Sequence, residues 1–84
     1  MTFQAQLEKL AAEAGIDPKE VVDSFVTQLR RSYFPAQRGE TSEKEMILKS
    51  FKDSGFTGSD DELWMGAVEC IINYGFYTRE DFKI

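Results

Sequence analysis

The chain has 84 residues, of which 42% are apolar and 30% are charged, and its net charge is −5. This composition supports one compact core and argues against global disorder, so we expect a single domain over residues 1–84. An acidic surface is a poor general binder of nucleic acid, because phosphate contacts depend on Lys and Arg. The negative charge either keeps a small protein soluble or suits a basic protein partner.

The residue types that are absent exclude most catalytic and metal chemistry. There is no histidine and one cysteine, so no internal disulfide and no Cys/His zinc site can form. No P-loop, dinucleotide-binding or G-x-S-x-G motif occurs, and we therefore expect no enzyme, no cofactor and no metal. Cys70 lies among apolar neighbours and is expected to be an inert core thiol. The absence of a signal peptide and of a long apolar run predicts a cytoplasmic protein without a membrane span.

The first half of the chain predicts two helices. The first covers about residues 3–14 and is expected to end at Gly15, which the apolar Ile16 follows. The second has a well-marked start, with Asp17 as N-cap and Pro18 at the first helical position. We expect this helix to end at Pro35, because proline disfavours helical geometry in the residue before it. Residues 35–40 are then expected to form a surface loop.

The only basic cluster lies at the end of the second helix and contains two aromatic residues. Its members are Arg30, Arg31, Tyr33, Phe34 and Arg38. In one interpretation the first two arginines interact with the helix dipole, while Tyr33 packs in the core and Phe34 anchors the loop. In two others the cluster contacts a protein, or binds single-stranded nucleic acid by charge and stacking.

The third predicted helix runs over about residues 42–54. Ser42 and Glu45 have the spacing of a capping box at its start. Gly55 suits its C-terminal end, and the apolar Phe56 follows as is usual for such a cap.

The fourth predicted helix, residues 59–74, is apolar around about 220° of its circumference, compared with about 100° for an ordinary surface helix. Ser59 begins it as N-cap. The helix is either the centre of the bundle or a face that meets a partner, with Trp64 and Met65 as anchors. Gly66 is typical of a close backbone approach, by another helix of this chain or by a partner.

Acidic residues accumulate around the third helix and the start of the fourth. Asp60, Asp61 and Glu62 stand where carboxylates stabilise a helix N-terminus. If these acids converge in space, they form a patch that mimics phosphates and occupies a basic nucleic-acid groove. Interspersed lysines favour the alternative, an ordinary solvated face.

Two predicted helices end in Gly-aromatic pairs, Gly55-Phe56 and Gly75-Phe76, and Glu80-Asp81-Phe82 follows the second pair. This arrangement over residues 47–82 resembles the helical repeat of RecX-type recombination regulators. The resemblance implies a helical domain related to recombination regulators. It covers less than half of the chain and lacks the basic residues of that family, so it supplies only an alternative.

Together these patterns predict an all-α fold, a compact bundle of four helices with a short C-terminal helical turn. The main hypothesis is a non-enzymatic protein-binding module. It is more specifically a small acidic inhibitor or immunity-type protein that blocks a basic, nucleic-acid-acting protein. The alternative is a nucleic-acid-binding domain that uses residues 30–38. A third hypothesis is a homodimer closed by the Trp64 helix.

Overall fold

The computed structural model describes residues 2–82, which form four α-helices and a C-terminal 3-10 turn without any strand. The elements are α1 (Phe3–Ala14), α2 (Pro18–Gln37), α3 (Ser42–Asp53), α4 (Asp60–Asn73) and the 3-10 turn Arg79–Phe82. The predicted all-α bundle is confirmed. Its radius of gyration, 12.2 Å, is close to the roughly 12 Å of a compact domain of this length. Within residues 2–82, no helix has the length and apolarity to cross a membrane.

Three of the helices end in the same way, with a left-handed glycine followed by an apolar residue. Gly15, Gly55 and Gly75 have φ values of 72°, 107° and 82°, a conformation that costs glycine little. At the end of α3 the N–H of Phe56 donates to the carbonyl of Phe51 at 3.1 Å. The other two ends repeat this bond, so the recurring Gly-apolar pattern predicted these ends from local hydrogen bonding.

The predicted end of α2 was wrong, because the helix continues through Pro35 to Gln37. Proline removes one backbone donor, which normally stops a helix. Here aromatic packing holds the last turns together. The Tyr33 ring packs edge-on against Phe34 and Phe82, at centroid distances of 5.4 and 4.9 Å. Residues 35–37 therefore belong to α2, and only residues 38–40 of the expected 35–40 loop lie outside the helix.

The predicted capping box at the start of α3 was also wrong. Ser42 is the first helical residue, and the N-cap is Thr41, whose side chain makes no capping hydrogen bond. The φ and ψ of Thr41, −105° and −6°, lie near the helical region, whereas a capping side chain needs extended backbone. A different glutamate of this first turn, Glu43, forms an ion pair with Arg31 of α2.

Helix α4 packs against all three other helices, as α2 also does. The N-cap at Ser59 is confirmed, since its Oγ accepts the N–H of Glu62 at 3.2 Å. Leu63, Trp64 and Ile71 are at most 2% exposed. The broad apolar surface of this helix is thus largely used by the chain's own core.

Gly66 allows α1 to approach α4 closely. A Cβ atom at this position would lie 2.3 Å from Cβ of Phe3, far inside van der Waals contact. The close approach expected from this mid-helix glycine is made by another helix of the same chain.

We predict that Gly66→Ala lowers the free energy of unfolding by about 1–2 kcal/mol, because the clash with Phe3 outweighs the better helix propensity of alanine. Urea unfolding followed by far-UV circular dichroism measures this change. In a Phe3→Gly background, which removes the clashing Cβ atom, the same substitution should become neutral or stabilising. A stabilising Gly66→Ala in the unaltered chain would contradict the close packing.

Candidate protein-binding surface

The first turn of α4 presents carboxylates to solvent. Asp60, Asp61 and Glu62 are exposed, and their charge is favourable near the positive end of the helix dipole. Nζ of Lys52 pairs with Asp60 at 2.6 Å. No Lys or Arg of residues 2–82 forms an ion pair with Asp61 or Glu62. Two carboxylates of this turn are therefore available to a partner.

Met65 lies one helical turn after Asp61 and is 47% exposed. A spacing of four residues places both on the same side of the helix. Glu69 continues this side and receives a two-point ion pair from Arg79, with N–O distances of 2.9 and 3.0 Å. We refer to Asp61, Glu62 and Met65 as the acidic stripe. It combines unpaired negative charge with an exposed, flexible apolar side chain.

Trp64 faces into the core and is 2% exposed. Its indole Nε1 is buried and has no hydrogen-bond partner among residues 2–82. The ammonium of Lys44 lies 5.2 Å from the ring centroid. Of the two anchors considered from the sequence, only Met65 reaches the surface. A dimer closed by the Trp64 indole would require the core to open.

Arg30 of the basic cluster is enclosed by aromatic rings of its own chain. Its guanidinium carbon lies 4.4 Å from the ring centroid of Phe34, 5.5 Å from that of Phe82 and 5.6 Å from that of Tyr77. Its Nε is buried without a hydrogen-bond partner in the described part of the chain. Cation–π contacts of this kind attach the C-terminal turn to α2.

The other two arginines of the cluster are exposed, and each lies beside a carboxylate of this chain. Arg31 forms its ion pair with Glu43 of α3, and Nε of Arg38 lies 3.9 Å from a carboxylate oxygen of Glu40. The ring of Tyr33 is buried. Arg31 and Arg38 therefore stay on the surface, whereas Arg30 and Tyr33 pack against this chain, a division that sequence spacing alone could not show.

A groove of about 700 Å³ runs between the N-terminal part of α1 and α4, beside Gly66. Gln6, the buried polar residue at its wall, is fully engaged: its Nε2 donates to the carbonyl of Thr57 at 2.9 Å, and its Oε1 accepts the N–H of Thr57 at 2.8 Å. Glu62 and Glu69 also line this groove. The negative character of the acidic stripe thus extends towards α1.

The two groups with strongly raised pKa values lie away from this stripe. Burial, and then the carboxylates of Glu8 and Glu69, raise the pKa of the Cys70 thiol from 9.0 to about 12. Burial, and then a hydrogen bond donated to Glu8 at 2.9 Å, raise the pKa of Tyr74 from 10.0 to about 12. Both groups stay protonated at neutral pH, which makes them poor nucleophiles.

No cluster of three metal-binding side chains occurs among residues 2–82.

No protein-family model, curated protein or solved structure matches this chain. The resemblance of residues 47–82 to the RecX repeat gains no support from these comparisons. The candidate surface therefore rests on geometry and charge alone.

We predict that Arg30→Ala lowers the free energy of unfolding by about 1–2 kcal/mol, because it removes cation–π contacts and the packing of the arginine stem. Arg31→Ala is the matched control and should cost less than about 0.5 kcal/mol, since its ion pair is exposed. Urea unfolding measures both values. Equal losses in the two variants would contradict the enclosed position of Arg30.

The raised pKa values predict a loss of stability in alkaline solution. Between pH 9 and about 12 the unfolded chain releases protons that folded Cys70 and Tyr74 retain, so the free energy of unfolding falls as pH rises. Glu8→Gln should reduce this fall, since the Glu8 carboxylate raises both pKa values. Urea unfolding at a series of pH values measures the slope. An unchanged slope in Glu8→Gln would contradict the assignment.

Proposed function

We propose that this chain is a non-enzymatic protein-binding module that uses the acidic stripe to bind a basic surface of another protein. In its specific form it is a small cytoplasmic inhibitor that blocks a nucleic-acid-acting protein by occupying its phosphate-binding surface. One observation carries the proposal: Asp61 and Glu62 have no ion pair within residues 2–82 and stand beside the exposed Met65.

The chemistry of the stripe suits such a contact. Unpaired carboxylates accept charge-assisted hydrogen bonds from Arg and Lys, and they speed the encounter with a basic partner. Methionine adapts its shape to an apolar depression and is enriched at the cores of protein interfaces. The net charge of −5 acts in the same direction over longer distances.

The alternative, nucleic-acid binding by residues 30–38, has weaker support. Affinity for phosphates requires Lys and Arg side chains that can approach the nucleic-acid backbone and displace its condensed counterions. Arg30 packs against aromatic rings, and the exposed Arg31 and Arg38 each lie beside a carboxylate of this chain. Nucleic-acid binding through this cluster would first have to release those contacts.

Site-specific photocrosslinking in source cells tests where the partner binds. We expect a crosslinker at Met65 to capture one protein with a basic surface, in a product that resists nuclease. A crosslinker at Met46, which is 66% exposed on α3, is the matched control and should not capture it. Capture of nucleic acid instead, lost on nuclease treatment, would contradict the proposal.

Affinity for the captured protein then tests the charges. The triple substitution Asp61→Asn, Glu62→Gln and Met65→Ser should weaken binding by at least about tenfold. The control removes the same charge and one exposed methionine elsewhere, by Glu20→Gln, Asp23→Asn and Met46→Ser. Equal weakening in both variants would mean that only net charge matters and that the stripe is not the binding site.

A further inference from the structure

Residues 77–82, which we call the C-terminal cover, lie across the end of α2 that carries the basic cluster. The ring centroids of Tyr77 and Phe82 lie 5.6 and 5.5 Å from the guanidinium carbon of Arg30. Hydrogen bonds inside the cover, and after them the charge of Arg30, lower the pKa of the Asp81 carboxyl. The cover therefore presents two aromatic faces and a nearby negative charge to this arginine.

An aromatic face and a negative charge are also the two features that a nucleotide presents, in its base and its phosphate. Proteins bind single strands by stacking the bases on aromatic or arginine side chains while cations follow the backbone. In the closed form, which the structure shows, the rings of the cover occupy the position over Arg30 where a base would stack.

The other arginines of the basic cluster already reach solvent. The side chains of Arg31 and Arg38 are 70% and 62% exposed, and exposed ion pairs such as theirs contribute little to stability. Arg30, Phe34 and Arg38 follow one another at intervals of four residues, which places them along one side of the end of α2. Arg30 is the member of this row that the cover shields.

The cover can leave α2 without losing its own hydrogen bonds. The N–H and the hydroxyl of Thr78 donate to the carboxylate of Asp81 at 2.8 and 3.0 Å, inside the cover. The ion pair of Arg79 with Glu69 joins side chains that are 66% and 41% exposed. Opening also returns Nε of Arg30 to water, where this unpaired buried donor finds partners. These are the features of a segment with low local stability.

We propose that the C-terminal cover is an autoinhibitory element that opens while the four helices stay folded, and that the uncovered end of α2 binds single-stranded nucleic acid. Arg30 and Phe34 would stack on bases, and Arg38 would contact phosphate. The closed form reduces the affinity of the unaltered chain to the extent that the open form is rare. The inference goes beyond the proposed function, because it concerns a different surface and a different ligand.

Fluorescence anisotropy with a labelled oligothymidylate of about 15 nucleotides at low salt tests this inference. Arg79→Ala removes a positive charge, yet it should tighten binding about threefold, because it releases the cover from Glu69. Lys52→Ala is the matched control, since it removes the same charge and an exposed ion pair with Asp60. It should not tighten binding. Equal affinities of the two variants would overturn the inference.

Removing the buried ring of the cover gives a larger expected effect. Phe82→Ala should tighten binding by at least about tenfold, and adding Arg30→Gln should abolish this gain. Phe56→Ala removes an equally buried ring outside the cover, since both phenylalanines are 7% exposed, and it should leave the affinity unchanged. Circular dichroism verifies folding. The exposed Arg79→Ala substitution decides the question if Phe82→Ala does not fold.

An abasic strand of the same length separates stacking from charge, because it keeps the phosphates and lacks the bases. Phe82→Ala should bind it at least about tenfold more weakly than oligothymidylate. Equal binding of the two strands, equal tightening by Phe82→Ala and Phe56→Ala, or no saturable binding by either cover variant up to about 1 mM would overturn the inference. The neutralised stripe variant should still respond to Arg79→Ala, so this result does not depend on the proposed function.

Discussion

The packing of Phe3 is the contact on which the arrangement of the bundle depends. Its ring stacks on Phe56 at a centroid distance of 4.4 Å and meets Phe51 of α3 and Phe25 of α2 edge-on, at 5.0 and 6.3 Å. On its other side its Cβ lies against the bare backbone of Gly66. One side chain at the start of α1 thus joins all four helices. Burial of aromatic area and preferred ring geometry both stabilise this junction.

The close approach of α1 and α4 also decides which side of α4 reaches solvent. When Trp64 is buried between helices, the next residue is rotated by about 100° around the helix axis, and this rotation brings Met65 to the surface. Asp61 lies one turn earlier on the same side of α4 and is exposed for the same reason. The acidic stripe is therefore a consequence of core packing, and the charges of the first turn are tolerated because the helix dipole favours them.

Core packing exposes the acidic stripe, whereas packing of the C-terminal turn covers part of the basic cluster. Phe82 packs on Tyr33 and, with Tyr77, covers the guanidinium of Arg30. The same packing stabilises the last turns of α2 beyond the point where Pro35 would stop an isolated helix. One set of aromatic contacts thus lengthens a helix and encloses an arginine that would otherwise be open to phosphate.

The sequence by itself determined the four helices, three of their glycine ends and the cap at the start of α4. These features depend on bonds between residues a few positions apart, so their pattern is visible in the chain. Only the tertiary structure decided that α2 passes through Pro35, that Arg30 packs between aromatic rings and that Trp64 faces the core. Those outcomes depend on rings and helices distant in sequence, whose packing energy exceeds local preference.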